Sequence, residues 1–194
     1  MKVAIIRYNA GNIKSVAYAM ERLGVNFEET SDAERISSAD KVIFPGVGEA
    51  SSTMSFLRNT GLDKLIPTLK QPVLGICLGM QLLCRHSQEN DTPCLGIFDA
   101  EVVKFQAQPG FKVPHTGWNS LSNAKDWLGT DLNGKFVYYV HSYFVPVNEW
   151  TTLQTDYTQP FSAAMRRKNY YAVQFHPEKS GDAGTNVLKH FLSL

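Results

Sequence analysis

The sequence predicts an α/β protein, a mostly parallel open sheet flanked by helices with added antiparallel β structure in its second half. Three strand, loop, helix units in the first half and a run of short strand candidates after about residue 95 carry that reading. Alternation of strands and helices favours a parallel sheet, because each parallel return needs a crossover, and the crossover helices then cover both faces. The 194 residues suffice for one sizeable core, and residues 1–194 read as a single domain with no linker, repeat or low-complexity tract.

In the first unit Lys2–Ile6 is an apolar run of strand length, Tyr8-Asn9-Ala10-Gly11-Asn12 supplies turn residues, and Val16, Met20 and Leu23 recur at helical spacing. In the second, Lys41-Val42-Ile43-Phe44 is the strand, Pro45-Gly46-Val47-Gly48 breaks it, and residues 49–57 can continue as helix. The third runs through Pro72-Val73-Leu74-Gly75-Ile76 to Cys77, after which Leu78-Gly79-Met80-Gln81-Leu82-Leu83 has a helical pattern. Later strand candidates are residues 101–105, 136–140, 161–166 and 170–175, and helical periodicity returns at 185–192.

Nineteen basic and 18 acidic residues give a net charge of +1. The basic residues are scattered, which argues against nucleic acid or an anionic membrane as partner. No stretch approaches a membrane span, and the apolar N-terminal run is too short for a signal peptide. Three cysteines with no C-x-x-C pair, and no histidines at zinc-ligand spacing, point to free thiols in a reducing, cytoplasmic setting with no metal or cofactor.

Gly75-Ile76-Cys77-Leu78-Gly79 places a nucleophile between glycines two residues away on each side, the pattern of a sharp strand-to-helix elbow. Such an elbow puts the sulfur at a helix N-terminus, where free amides and the positive end of the dipole favour a thiolate. A cysteine in a glycine-tolerant strand can equally be a small core residue. Its place at the C-terminal end of a strand, where open α/β sheets bind ligands, favours chemistry. A cysteine nucleophile needs a base, and Phe175-His176-Pro177-Glu178 follows the alternating positions Tyr171, Val173 and Phe175. In an extended chain residues i and i+2 share a face about 6.6–6.8 Å apart, so Glu178 can orient one imidazole nitrogen of His176 while the other faces the sulfur. Pro177 holds His176 in the extended region. A single histidine at a strand end is more often an ordinary packed or surface residue, but an acid at i+2 and a separate cysteine elbow point to a nucleophile, base and orienting acid.

Gly75-Ile76-Cys77-Leu78-Gly79-Met80-Gln81 together with Phe175-His176-Pro177-Glu178 resembles the class I (triad) glutamine amidotransferases. Pro45-Gly46-Val47-Gly48, Val113-Pro114-His115-Thr116-Gly117-Trp118-Asn119, Gly11-Asn12-Ile13-Lys14-Ser15-Val16 and His141-Ser142-Tyr143 narrow the likeness to glutaminase subunits that serve histidine biosynthesis, and it runs from Lys2 to the C-terminal helix. The resemblance implies that Cys77 attacks the amide carbon of glutamine, His176 protonates the departing ammonia and activates water on the thioester, and Glu178 orients the imidazole. It implies an oxyanion hole from the Leu78 amide and one at Val47 or Gly48. Gln81, Glu89, Ser142 and Tyr143 would hold the amino-acid end of glutamine. The partner would be a (β/α)8-barrel cyclase, docked on Asn12, Lys14, Trp118, His141 and Lys179. The family pattern differs at residues 86–91, where acidic residues are common, and at Thr116, where methionine is common. Cys84 and Cys94 read as structural thiols, His86 and His190 as exposed helix residues, and His115 and His141 as packing or interface groups. A glutaminase of another pathway, such as vitamin B6 synthesis, and a catalytically silent scaffold are the alternatives; the Pro45-Gly46-Val47-Gly48 loop and the Trp118 segment oppose the first, the intact Cys77, His176 and Glu178 set the second.

Overall fold

The computed structural model describes residues 1–8 and 13–194. Residues 9–12, which include the expected first turn and the docking candidate Asn12, lie outside the described residues. The first half runs β1 (Lys2–Ile6), α1 (Ile13–Arg22), β2 (Asn26–Thr30), α2 (Ala33–Ser38), β3 (Lys41–Gly46), α3 (Ala50–Thr60), α4 (Leu62–Leu65), β4 (Val73–Cys77) and α5 (Leu78–Leu82). The second continues through β5 (Cys84–Ser87), β6 (Thr92–Pro93), β7 (Phe98–Lys104), β8 (His115–Ser120), β9 (Phe136–His141), β10 (Tyr143–Phe144), β11 (Thr151–Tyr157), β12 (Gln159–Arg167), β13 (Tyr170–Val173) and α6 (Gly181–Ser193).

Among the described residues, seven strands form the main sheet in the order β11-β12-β13-β4-β3-β1-β2. From β2 to β13 the pairings are parallel, and β12 and β11 extend that edge antiparallel. A four-stranded sheet, β10-β7-β5-β6, and the β8-β9 ribbon are the added β structure. The period of two explains why the central strands are apolar throughout. Val3, Ile5, Ile43, Leu74 and Ile76 pack on one face with Val16 and Met20 of α1 and Val187, Leu188 and Phe191 of α6. Ala4, Ile6, Val42, Phe44 and Val73 pack on the other with Met54 and Leu57 of α3. Each of the larger side chains so buried contributes about 1.5–3 kcal/mol relative to exposure.

Four local expectations change. Pro45 and Gly46 continue β3 rather than breaking it, paired with Ile76 and Cys77. Pairing with β1 stops at Ile43, so a residue without an N–H is tolerated where β3 has a free side. The helical pattern after Cys77 lasts only to Leu82, and the chain turns into β5, which places His86 on a strand, half-buried and 2.8 Å from the Asp91 carboxylate. β13 is part of the parallel sheet rather than of the added structure. The remaining change concerns Glu178, because the strand ends at Val173 and Pro177–Lys179 is a 3-10 turn that brings the acid to His176.

Candidate active site

β4 carries Cys77 to the C-terminal edge of the sheet, where the backbone turns into α5 with φ 54° and ψ −110° at the cysteine. A positive φ on a residue with a Cβ costs on the order of 1–3 kcal/mol and persists only where the surroundings enforce it. Packing enforces it here. A Cβ on Gly79 would collide with the Phe44 carbonyl oxygen of β3, and one on Gly75 would lie 2.7 Å from Leu83 Cδ1. The two flanking glycines thus let α5 fold tightly against β3, and the thiol is left at the head of a cleft.

The parallel register of β13 against β4 pairs Val173 with Ile76. Continued one residue, it sets Gln174 level with Cys77, and His176 follows beyond the sheet edge. The His176 backbone is pinned: its N–H donates to the Tyr138 carbonyl at 3.0 Å, and its carbonyl accepts from Ser180 Oγ at 2.6 Å. Its φ of −98° and ψ of 93° are extended, as a following proline requires. The imidazole Nδ1 lies 2.8 Å from Glu178 Oε1, with both side chains fully buried. Burial opposes charge on His176, but hydrogen bonding and attraction from Cys77 and Glu178 outweigh it and raise its pKa to about 10. That favours an imidazolium at His176.

The cleft holds about 300 Å³ and is lined by Val47, Gly48, Cys77, Leu78, Gln81, Glu89, Ser142 and Tyr143 among others. That is the low end of ligand pockets, roughly 300–1,000 Å³, and suits an amino acid better than a nucleotide. Every expected oxyanion and substrate residue therefore borders one cavity, while His176 and Glu178 stand behind the sulfur. Glu89 Oε2 accepts from the Ala50 N–H at 2.7 Å, across the mouth of α3, and desolvation raises the pKa of its carboxyl. Gln81 is buried and gives its Nε2 to the Tyr143 carbonyl at 2.9 Å and to Gln174 Oε1 at 3.0 Å, which leaves its Oε1 for a ligand.

The docking candidates separate. Lys14 and Lys179 are exposed, and Trp118 on β8 is 57% exposed, touching the Tyr138 ring edge-on. His141 is different, being 6% exposed. Its Nδ1 faces the Tyr143 carbonyl at 2.8 Å and its Nε2 faces His115 Nδ1 at 3.0 Å, so it braces the cleft wall instead of presenting a side chain to a partner. Cys84 is buried and Cys94 partly so; burial pushes both thiols up, Cys94 to about 11, which leaves them unreactive. Among the described residues no group of three or more His, Cys, Asp or Glu is placed to hold a metal ion, and no helix is long and apolar enough to cross a membrane.

Two residues of this site escaped the sequence reading. Tyr8, just beyond β1, donates from its hydroxyl to the Pro45 carbonyl at 2.6 Å and so ties down the start of the Val47-Gly48 loop. Gln174 is fully buried, with Nε2 3.7 Å from Cys77 Sγ. Its signal was a polar residue inside the apolar run of residues 170–175, on the same strand face as His176.

A parallel sheet with a strained cysteine elbow and a buried histidine–glutamate pair at its C-terminal edge defines a class of α/β proteins built around a cysteine elbow. The family model Glutamine amidotransferase class-I matches residues 5–193. Imidazole glycerol phosphate synthase subunit HisH of Bacteroides fragilis is 58% identical with 100% of both chains covered, and the HisH of Bacteroides thetaiotaomicron is 57% identical with the same coverage. HisH of Idiomarina loihiensis is 43% identical over 100% of this chain and 98% of its own. The chain belongs to the class-I glutamine amidotransferase family, and within it to the group of these HisH subunits. Among solved structures, a glutamine amidotransferase aligns with a TM-score of 0.77 at 18% identity, covering 98% of this chain and 97% of that one. A putative GMP synthase subunit from Thermoplasma acidophilum aligns at 0.74 and 20% identity, covering 100% and 92%. At such identities these two speak for the shared fold alone.

Proposed function

We propose that this chain is the glutaminase subunit of an imidazole glycerol phosphate synthase, releasing ammonia from glutamine and passing it to a (β/α)8-barrel cyclase in the cytoplasm. The observation that carries the chemistry is the strained Cys77 elbow opening on an amino-acid-sized cleft with the His176–Glu178 pair behind it. Cys77 attacks the glutamine amide carbon as a thiolate, and the oxyanion meets backbone donors at Leu78 and at Val47 or Gly48. His176, charged at neutral pH, gives its proton to the departing ammonia and then takes one from the water that hydrolyses the thioester. Glu178 fixes the imidazole through Nδ1, leaving Nε2 for the sulfur side. Gln81 Oε1, Glu89 and the main chain at Ser142 and Tyr143 hold the substrate's ammonium and carboxylate.

The cyclase reading rests on the full-length identity to the HisH subunits. Lys14, Lys179 and exposed Trp118, with Asn12, are the docking surface. The direct test is Cys77→Ala, which removes glutamine hydrolysis and leaves the cyclase working with added ammonium salt. Glutamine turnover well above background in that variant would end the assignment. Trp118→Ala weakens association with the cyclase, measured by titration; unchanged association and ammonia transfer would return Trp118 to a packing role.

A further inference from the structure

We propose that Gln174 is a further catalytic residue of this site, donating an amide hydrogen bond to the Cys77 sulfur and favouring the thiolate that attacks glutamine. The inference rests on Cys77 being the nucleophile. Gln174 Nε2 stands 3.7 Å from Sγ, and both residues are almost wholly removed from solvent. An amide can present either its N–H or its oxygen, and the two ends have opposite effects on a developing negative charge. What decides the matter is a chain of hydrogen bonds that begins at a main-chain carbonyl.

The Tyr143 carbonyl can only accept. It takes the His141 Nδ1–H at 2.8 Å and one N–H of Gln81 at 2.9 Å. The Gln81 group facing it is therefore Nε2, since an oxygen there would meet an oxygen. The second Gln81 N–H points at Gln174, so the Gln174 atom 3.0 Å away must be the acceptor Oε1. Nε2 is the end that remains, and it faces sulfur. His141 is fixed as the Nδ1–H tautomer, so its Nε2 accepts from His115 Nδ1 at 3.0 Å, and the pair has no free rotation to reverse the order. Register supplies the distance: β13 runs parallel to β4 with Val173 opposite Ile76, which seats Gln174 beside Cys77. A buried amide with every polar end committed is costly to misplace, so the donor is held at the sulfur before substrate arrives.

Two variants test this. Gln174→Met fills a similar volume without a donor. Gln174→Glu is nearly isosteric and keeps an acceptor for Gln81, but it donates to sulfur only while protonated. Cys77 alkylation by iodoacetamide, followed by mass spectrometry of the Cys77 peptide, is recorded against pH for the full chain, beside kcat and KM for glutamine. In Gln174→Met the alkylation midpoint moves up by about one pH unit and kcat falls about tenfold with KM nearly unchanged, the size expected of one hydrogen bond to a charged group. In Gln174→Glu activity falls further as pH rises and the new carboxyl ionises beside the sulfur. Alkylation profiles and kcat within twofold of the parent in both variants, with Cys77→Ala inactive, would overturn the inference and leave the nucleophile assignment standing. Glutamine hydrolysis surviving in Cys77→Ala would instead overturn the assignment on which it rests.

Discussion

The two neighbours of β4 build opposite kinds of wall around the same cysteine. On the β13 side Gln174, His176 and Glu178 have fully buried side chains with named partners. On the β3 side Gly46 pairs with Cys77, and the chain then leaves the sheet through Val47 and Gly48. Gly48 has a φ of +106°, and a Cβ built there would meet nothing within 4 Å. One wall is made of side chains in a close-packed setting, and the other, beyond the tightly packed Gly46, is backbone that reaches open space at Gly48. Groups that carry charge and protons need fixed geometry, whereas a backbone donor between glycine-rich residues can be turned toward or away from the substrate at little cost. The fixed wall thus suits chemistry and the open wall suits control.

Breaking the fixed wall should have the larger effect. His176→Ala is expected to lower glutamine turnover by roughly 10²- to 10⁴-fold, the range of a general acid–base group. Glu178→Gln should cost only about 10- to 100-fold, because an amide can still orient the ring. The reverse order in steady-state kinetics would show that the acid is misassigned.

The open wall is sharpened by a different measurement. If the free chain rests with the hole unfinished, its glutaminase rate is low, rises on binding the cyclase and rises again with the cyclase's nucleotide substrate. Completing one oxyanion donor is worth about 100- to 1,000-fold in turnover. Gly48→Ala penalises the positive φ of Gly48 without a steric clash; where that φ belongs to the resting loop, the rate of the isolated chain should rise several-fold. Equal rates in all three states, with no change in the variant, would remove the switch.

That difference between walls also sets what could be read from the sequence. The Cys77 elbow was legible because Gly75 and Gly79 mark it locally, and the parallel sheet because both faces of β1, β3 and β4 are apolar. β2, an edge strand reading Asn-Phe-Glu-Glu-Thr, has no apolar alternation to betray it. β5 was hidden because no glycine or proline ends α5; the helix stops where Cys84–Ser87 finds ladder partners in β6 and β7. The pairing of β13 with β4 joins residues about a hundred positions apart. Without that register nothing brings Gln174 to the sulfur, and nothing decides between packing and interface for His141, which is a buried brace.

The smallest predicted effect compares the histidines of the site by the sign of their response to pH. His176 is raised to about 10, so its contribution to stability is complete below the ordinary histidine value of about 6.5 and is lost as pH rises through the folded value. His115 and His141 go the other way. Burial lowers them to about 4 and about 3, with the His115 and His176 charges adding to the effect on His141. Their contribution is complete above about pH 6.5 and fades as pH falls toward those folded values, because the unfolded chain takes up protons that the folded chain refuses. Each such group adds at most about 1.4 kcal/mol of stability per pH unit across that window. In His141→Gln an amide takes over the Tyr143 carbonyl and the His115 N–H without a titrating group. Urea unfolding at pH 7, 6, 5 and 4 should therefore give a shallower acid slope for the variant than for the parent, with the two alike above pH 7 apart from a constant offset. Superimposable acid slopes would mean that the carboxylates, not the buried histidine pair, govern the acid limb.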